Sequence, residues 1–554
     1  MGVRREVLLV FALGAVALVA HSINMFDYPA PSLADDEGTY VAQAWAVLRE
    51  GRLSPYTYTY DHVPGGWLQI AAWLGVVGPR AFGSVTATAR VLMLLLHVAA
   101  VVLLYIAARR LGAGRAAAGI AGLAFAASPL AVFYGREVLL DNIMGFWLVV
   151  ALATVAGTQS TRGTVLAGFA LGIACVSKEP ALVLVPAYAF LAAIQAPPAG
   201  RLVRVLAIAV PALGVVAAYP LYAVAHDQFW PTTGLEIADG PRFYAGSSLM
   251  DSVLWQMGRR GGSLIEPGSR VHLSLADWLQ RDATLVLVGI ASALANALRF
   301  RREPTRAAIG IFAIMSVGFL MRGGIVFAFH VPLAIPFLAL NLGLGSLELL
   351  GSVRPRAIAA RPAITACVGL FVLWGATSLP HLYLDRPGFA ERAALAWIQQ
   401  AVPEDAVIVG RDDMWADLHE ANGTTAFGNF HTHWRLAYDP DERRAVLAQG
   451  WRSLDYVVIT PDMIQDIRYI TRDSQLLAAL RNAHFVGQWI ASTRNERLHP
   501  TQVIEIWEVD RRGTSARLLL DCDSTPSLLC AMSSEGPFAG PSTGGLPRPS
   551  PSAR

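Results

Sequence analysis

Three adjacent carboxylates, Asp35, Asp36 and Glu37, follow the first apolar segment of the chain. Charge at a membrane boundary is costly, so a cluster of carboxylates there is a functional candidate. A carboxylate that faces water can act as a general base and remove the proton of a hydroxyl group. The alternative is structural, because acidic residues also stabilise the N-terminus of a helix.

Charged and imidazole side chains recur where later apolar segments begin or end. They are Asp61, His62, Arg136, Glu137, Asp141, Lys178, Glu179, Arg322 and His330. Arginine and lysine can hold a phosphate group, and Lys178 is the chain's only lysine. Structural explanations compete: an Arg136–Asp141 ion pair, cations that extend to the lipid headgroups, or histidines that only form hydrogen bonds. All these residues fall on one predicted side of the membrane, which favours a shared outward-facing cavity.

The composition is that of a polytopic membrane protein. Of the 554 residues, 54% are hydrophobic and 15% are charged, and the mean hydropathy is +0.44. Charged residues make up about a quarter of ordinary soluble proteins. The net charge of +3 does not indicate a nucleic-acid partner, and no cysteine spacing indicates a metal site.

We predict eleven transmembrane helices, since a helix rises about 1.5 Å per residue across about 30 Å of hydrocarbon. They are 6–24, 91–108, 116–134, 138–156, 164–176, 181–194, 205–224, 283–298, 307–320, 331–350 and 363–379. Arginines cluster in five alternate loops, at 109–115, 162, 201–204, 299–306 and 354–361. The positive-inside rule therefore predicts a cytoplasmic N-terminus and an extracytoplasmic C-terminal region, in a protein of the plasma membrane.

The predicted domains are a transmembrane catalytic domain over 1–382, with outer loops 25–90 and 225–282, and an extracytoplasmic α/β domain over 383–510. Helices are expected at 40–50 and 67–77 in the first outer loop. In the second domain AERAALAWIQQ is typical of an amphipathic helix, and AVIVG, DYVVIT and VIEIWEV are typical of strands. The tail, 511–554, is rich in Ser, Pro and Gly and is predicted to be disordered.

Four stretches resemble motifs of the GT-C glycosyltransferases related to protein O-mannosyltransferases and to the aminoarabinose transferase of lipid A. DDEGTYVAQAW with YDHVPGGWLQIAAWLG resembles their first outer loop, although His62-Val63-Pro64 stands where the family has His-Pro-Pro or Lys-Pro-Pro. GREVLLDNIMGFW resembles their Arg-x-x-x-Leu-Asp stretch. SKEPALVLVPA resembles their lysine-bearing segment, and FAFHVPLAIPFLAL their late proline-punctuated segment.

This resemblance implies an inverting glycosyltransferase that moves a sugar from a polyprenyl-phosphate-linked donor to an acceptor hydroxyl of a lipid, polysaccharide or protein. It implies that Asp36 is the base and that Glu37 orients it or contacts the acceptor. The expected donor-phosphate ligands are Lys178, Arg136 and Arg322, supported by Asp141, His62, Glu179 and His330. No cofactor is implied with certainty, and a divalent metal at Asp36, Glu37 and His62 stays open because their spacing is not diagnostic.

Two other functions compete with this interpretation. One is a transporter or flippase of a polar or lipid-linked solute, although transporters usually place ionisable residues near the membrane midplane within repeated halves, and no such repeat is evident. The other is an oligosaccharyltransferase. The external domain has no Trp-Trp-Asp motif, which counts against this function.

Overall fold

The computed structural model describes residues 2–31, 36–53, 60, 62–231, 248–352, 379–420 and 426–511. The chain forms two compact units. One comprises Met1–Pro29, Gln43–Gly234 and Tyr244–Asp385, and the other takes the chain from Arg386 together with Ala30–Ala42. The predicted division into 1–382 and 383–510 therefore did not anticipate that the segment carrying Asp36 and Glu37 groups with the C-terminal part of the chain.

The first unit is helical. In chain order the helices are α1 Gly2–Ser22, α2 Glu37–Glu50 (whose first residues belong to the second unit), α3 Gly65–Val77, α4 Val85–Arg110, α5 Arg115–Ala127, α6 Pro129–Arg136, α7 Leu140–Val155, α8 Thr161–Ser177, α9 Val185–Ile194, α10 Arg201–Ala225, α11 Leu249–Gly258, α12 Arg270–Ala283, α13 Gly289–Ala297, α14 Pro304–Leu320, α15 Ile335–Ser352 and α16 Leu379–Leu384. Short 3₁₀ segments precede α9 and α15, at Glu179–Leu184 and Ala328–Leu333. A π-helical turn, Thr284–Val288, precedes α13.

These helices coincide with the first ten predicted transmembrane segments, and the eleventh lies outside the described residues. Within the described part of the chain, three helices are long and apolar enough to cross a membrane: Arg4–Ser22, Val85–Arg110 and Pro198–Ala225. A fourth candidate is the pair α5 and α6, bent by 51°. The bend falls at Ser128, whose side chain caps α6 immediately before Pro129.

Shorter apolar helices complete the bundle, including α3, α7, α8 and α14. Large apolar side chains on the outside of α1, such as Leu8 and Phe11, are 67% and 72% exposed. Exposed apolar surface of this kind is expected where a helix contacts lipid rather than water. The number of spans and their orientation remain predictions.

The C-terminal part of the second unit is a five-stranded mixed sheet with helices. Its strands are β1 Ile408–Gly410, β2 Phe430–Thr432, β3 Tyr456–Ile459, β4 Ala483–Ala491 and β5 Gln502–Val509, and its helices are α17 Gly388–Ala401, α18 Trp415–His419, α19 His433–Tyr438, α20 Pro440–Val446, α21 Pro461–Gln465 and α22 Ser474–Arg481. The strand order is β2-β1-β3-β5-β4, with β1 parallel to β2 and β3, and with β5 antiparallel to β3 and β4.

A single hydrophobic core holds this sheet to its helices. Val409, Val457 and Trp507 from three strands pack with Met463 and Leu476 from two helices, all almost fully buried. The parallel strands β1 and β3 are buried along almost their whole length, as expected when a sheet is covered by helices. Strands β1, β3 and β5 coincide with the three strands predicted from the sequence.

Candidate active site

Lys178 lies at a break between two apolar helices. Pro180 lacks the N–H that would continue α8, so the helix ends at Ser177 and Lys178 adopts an extended conformation. The side chain is 2% exposed, and its Nζ lies 3.4 Å from Oδ2 of the fully buried Asp141. Because α7 and α8 form an antiparallel hairpin, the start of one meets the end of the other. Asp141 therefore pairs with Lys178.

The turn before α3 packs against the same helix end. A Cβ atom at Gly65 would lie 2.5 Å from the Val176 carbonyl oxygen, so only glycine permits this approach. The contact brings His62 beside Glu179, with 3.5 Å between His62 Nδ1 and Glu179 Oε1. The same Glu179 oxygen accepts a hydrogen bond of 2.9 Å from the Val63 N–H.

His330 and Arg322 come from a third part of the bundle. The Phe329 ring centre lies 5.9 Å from Lys178 Nζ, and the next residue is His330. Burial lowers the pKa of His330 well below its usual range, and the nearby Lys178, His62, Arg322 and Arg259 lower it further. We refer to Lys178, Arg259 and Arg322, together with the neighbouring His62 and the neutral His330, as the cation cluster. It unites four of the predicted site residues.

Arg259 was not predicted as a site residue. It follows α11 in the predicted outer loop 225–282. The backbone of Gly261 donates a hydrogen bond of 2.9 Å to the Gly323 carbonyl, and a Cβ at Gly261 would lie 2.1 Å from the Gly324 oxygen. These two glycine pairs bring the loops of Arg259 and Arg322 together. The repeated Arg-Gly-Gly pattern, at 260–262 and 322–324, is the only sequence signal for this contact.

Arg322 is exposed. Its guanidinium stacks 3.7 Å from the Phe319 ring centre and donates one hydrogen bond of 2.8 Å to the Phe319 carbonyl. Both contacts are to its own helix end, and a guanidinium has five N–H donors. Arg322 therefore retains the capacity to bind an anion.

Arg136 differs from the prediction, because all five of its N–H donors contact backbone carbonyls and its side chain is buried. The acceptors are the carbonyl oxygens of Ala20, His21, Ile23, Tyr28 and Leu382. Arg90 similarly donates to Met25 and Pro29. In this conformation the guanidinium therefore braces the chain around the end of α1, and a role of Arg136 in phosphate binding stays a prediction.

Asp36 and Glu37 lie at the start of α2, in the second unit. Glu37 is its first residue and is fully buried. Asp36 immediately precedes the helix, is partly exposed, and accepts a hydrogen bond of 2.8 Å from the Tyr40 hydroxyl through Oδ2. Asp35 and Asp61 lie outside the described residues. That these carboxylates share one cavity with the cation cluster remains a prediction.

No group of three or more His, Cys, Asp or Glu side chains is arranged to hold a metal ion within the described ranges. His62 belongs to the first unit and the Asp36-Glu37 pair to the second. The proposed metal set is therefore not assembled by either unit alone. Cys175 is a buried free cysteine, and Cys522 and Cys530 lie outside the described residues.

Comparison with known proteins gives a consistent answer about the fold. A family model described as dolichyl-phosphate-mannose-protein mannosyltransferase matches residues 69–225. The oligosaccharyltransferase AglB from Archaeoglobus fulgidus, in complex with an inhibitory peptide and a dolichol-phosphate, is 15% identical over 87% of this chain and 72% of that one, with a TM-score of 0.50. ArnT from Cupriavidus metallidurans, bound to undecaprenyl phosphate, is 16% identical over 90% and 97%, also with a TM-score of 0.50. No curated protein sequence matches the chain.

Proposed function

We propose that this chain is a GT-C glycosyltransferase of the superfamily that includes the protein O-mannosyltransferases and ArnT, and that it transfers a sugar from a polyprenyl-phosphate donor to an acceptor hydroxyl, with inversion. The observation that carries this proposal is the cation cluster. It gathers basic side chains at the broken ends of apolar helices, where a lipid phosphate can reach them while its isoprenoid tail stays in the hydrocarbon.

The chemistry explains why cations are needed there. The acceptor oxygen attacks the anomeric carbon as the bond from that carbon to the phosphate oxygen breaks, and the electron pair of this bond leaves with the lipid phosphate. Negative charge therefore grows on the phosphate while positive character grows on the sugar. Preplaced cations stabilise this transition state more than the bound donor, which is the condition for faster chemistry.

Lys178 and Arg322 are the proposed phosphate ligands, with Arg259 as a third candidate. Lys178 carries a compact charge in a buried setting, where electrostatic interactions are least screened. Asp141 holds that ammonium at one side. The loops that carry Arg322 and Arg259 are in contact through Gly261, Gly323 and Gly324. Their guanidinium groups can therefore bind the same anion.

Asp36 is the proposed base, because it is the more exposed of the two predicted catalytic carboxylates. The Tyr40 hydroxyl fixes one carboxylate oxygen, which orients the group and leaves the other oxygen to take the acceptor proton. Glu37 is fully buried and suits a supporting role.

The proposed donor class follows from the relatives that bind dolichol-phosphate and undecaprenyl phosphate. The arginine-rich loops fall on one predicted side of the membrane and the site residues on the other. We therefore place the reaction at the outer face of the plasma membrane.

The test is transfer from labelled polyprenyl-phosphate sugars in membranes that contain Asp36→Asn. A general base contributes on the order of 10²- to 10⁴-fold in rate, so we expect a loss of at least about a hundredfold. Asp441→Asn is the matched control, since that carboxylate is 74% exposed on α20. Undiminished transfer by Asp36→Asn would remove Asp36 as the base.

The same preparation separates the competing functions. Uptake of donor or solute into liposomes without any covalent product would establish a transporter or flippase instead. Transfer to a peptide asparagine, rather than to a hydroxyl, would establish an oligosaccharyltransferase. Mass spectrometry of the cell envelope with and without the protein would identify the sugar and its acceptor.

A further inference from the structure

We propose that the C-terminal sheet positions the catalytic carboxylates. It does so by binding the segment around Asp36 in the crevice at the carboxyl ends of its parallel strands, the place where open α/β sheets usually bind a ligand. The inference rests on the proposed function of Asp36. It concerns contacts within the second unit alone, and it assigns Arg411, Asp412 and Asp413 as positioning residues.

The crevice is defined by the topology of the sheet. The parallel strands lie in the order β2-β1-β3. After β1 the chain forms β2 on one side of it and then crosses to form β3 on the other side. In open α/β sheets, ligands bind beyond the carboxyl ends of the strands at such a switch point. Arg411 follows β1, Asp462 lies just beyond β3, and Arg411 Nη1 lies 3.6 Å from Asp462 Oδ2.

The chain's own active-site segment contacts this crevice. Arg411 Nη2 donates a hydrogen bond of 2.8 Å to the Pro31 carbonyl. The Thr39 hydroxyl donates one of 2.7 Å to Asp412 Oδ2. Asp36 lies between these two points along the chain, so both flanks of the proposed base are attached to the loop that follows β1.

Close packing makes the attachment specific. A Cβ at Gly38 would lie 2.5 Å from the Asp413 backbone nitrogen and 2.6 Å from its Cα, so the first turn of α2 rests directly on the Asp412–Asp413 backbone. Arg411 is itself oriented by Asp413, through contacts of 2.5 and 3.2 Å. All three members of the loop are buried.

A second anchor lies before the segment. The Ala30 N–H donates to His499 Nε2 at 3.2 Å, and His499 lies just before β5. The sheet therefore holds residues 30, 31, 38 and 39. A displacement of about 1 Å at a reacting group can cost about a hundredfold in rate, so contacts that fix the position of Asp36 bear directly on catalysis.

The first arm of the test measures order in the segment, independently of activity. In full-length protein in membranes, hydrogen exchange of peptides covering 30–42 should accelerate in Thr39→Val, Asp412→Ala and Gly38→Ala. It should not change in Gly428→Ala, because a Cβ at Gly428 meets nothing within 4 Å. Unchanged exchange in the first three variants would overturn the proposal, whatever the protein catalyses.

The second arm measures transfer. Thr39→Val should lower kcat by roughly tenfold or more with an unchanged KM for the donor, and Thr39→Ser, which keeps the hydroxyl, should restore it. The double variant Thr39→Val/Asp412→Ala should lower kcat no further than the worse single variant, since both substitutions remove the same hydrogen bond. Additive losses, or faster exchange with unchanged kcat, would contradict a positioning role. Faster exchange in a protein that transfers no sugar would instead refute the proposed function.

Discussion

The Lys178–Asp141 pair offers a test that separates structural from catalytic roles, because both side chains are buried and their charges lie 3.4 Å apart. At an effective dielectric constant of about 20, two unit charges at this separation attract by about 5 kcal/mol before desolvation is counted. Desolvation cancels much of that attraction. Removing one partner from such a pair nevertheless destabilises a protein by about 3–5 kcal/mol, because the remaining charge is buried alone.

Lys178→Met and Asp141→Leu should therefore each lower thermal stability substantially. The double variant should recover most of it, since replacing a buried pair by apolar residues is often neutral or stabilising. Transfer should behave differently. If Lys178 stabilises the departing phosphate, the double variant should stay about a hundredfold or more below wild type. Lys178→Arg keeps the charge without the compact ammonium and should also lose activity.

The assay pairs unfolding curves in detergent with initial rates from a labelled polyprenyl-phosphate sugar. Arg299→Met is the control, because its partner Glu303 is 44% exposed and an exposed pair contributes about 0–1 kcal/mol. Recovery of both stability and transfer in the double variant would show that the pair only supports the fold. Wild-type turnover in Lys178→Arg would lead to the same conclusion.

Two further predictions concern packing and pH. Gly65→Ala should displace the start of α3 from the Val176 carbonyl and reduce transfer strongly, measured against Gly318→Ala, whose Cβ meets nothing within 4 Å. In the C-terminal domain, burial lowers the pKa of His419 from 6.5 to about 4. The folded domain keeps His419 neutral at pH values where the unfolded chain binds a proton. Titration of His419 therefore costs no stability above about pH 6.5 and lowers the free energy of unfolding by roughly 3 kcal/mol as the pH falls to 4. Unfolding curves across that range should show this loss, and His419→Gln should flatten it; an equal slope in both proteins would contradict the assignment.

The features that could be predicted from sequence are those set by local patterns. Apolar runs identified ten helical segments, and Pro180 accounts for the break that exposes the end of α8 to its neighbours. The acidic pair at 36–37 predicted the start of α2 to within a few residues. Strands β1, β3 and β5 were predictable because each is a short run of β-branched and aromatic residues.

Two strands were missed for opposite reasons. β2 is only three residues long, Phe430–Thr432, which is too short to show any period. β4 is nine residues long, but it is an edge strand with mostly half-buried side chains. Neither face of β4 is fully buried, so its sequence lacks the usual alternation of apolar and polar residues.

The contacts that build the candidate site depend on residues far apart in the sequence. Thr39 and Asp412 are separated by 373 positions, and no local pattern marks either as a partner of the other. Gly38 is informative only in retrospect, since a glycine near a helix N-terminus has several explanations. The structure selects one of them, because the Asp413 backbone occupies the space that a Cβ would need.

Arg136 shows why residue type alone does not define the contacts of an arginine. An arginine beside a membrane boundary can bind a phosphate, pair with a carboxylate or satisfy carbonyls, and these uses look alike in sequence. The last four carbonyls of α1 have no partners within the helix, and leaving them bare in an apolar surrounding would be costly. Arg136 supplies three hydrogen bonds to the carbonyls of residues 20, 21 and 23, where α1 ends. The donors of Arg136 are therefore used to end a helix, a use that its residue type and position in the sequence do not reveal.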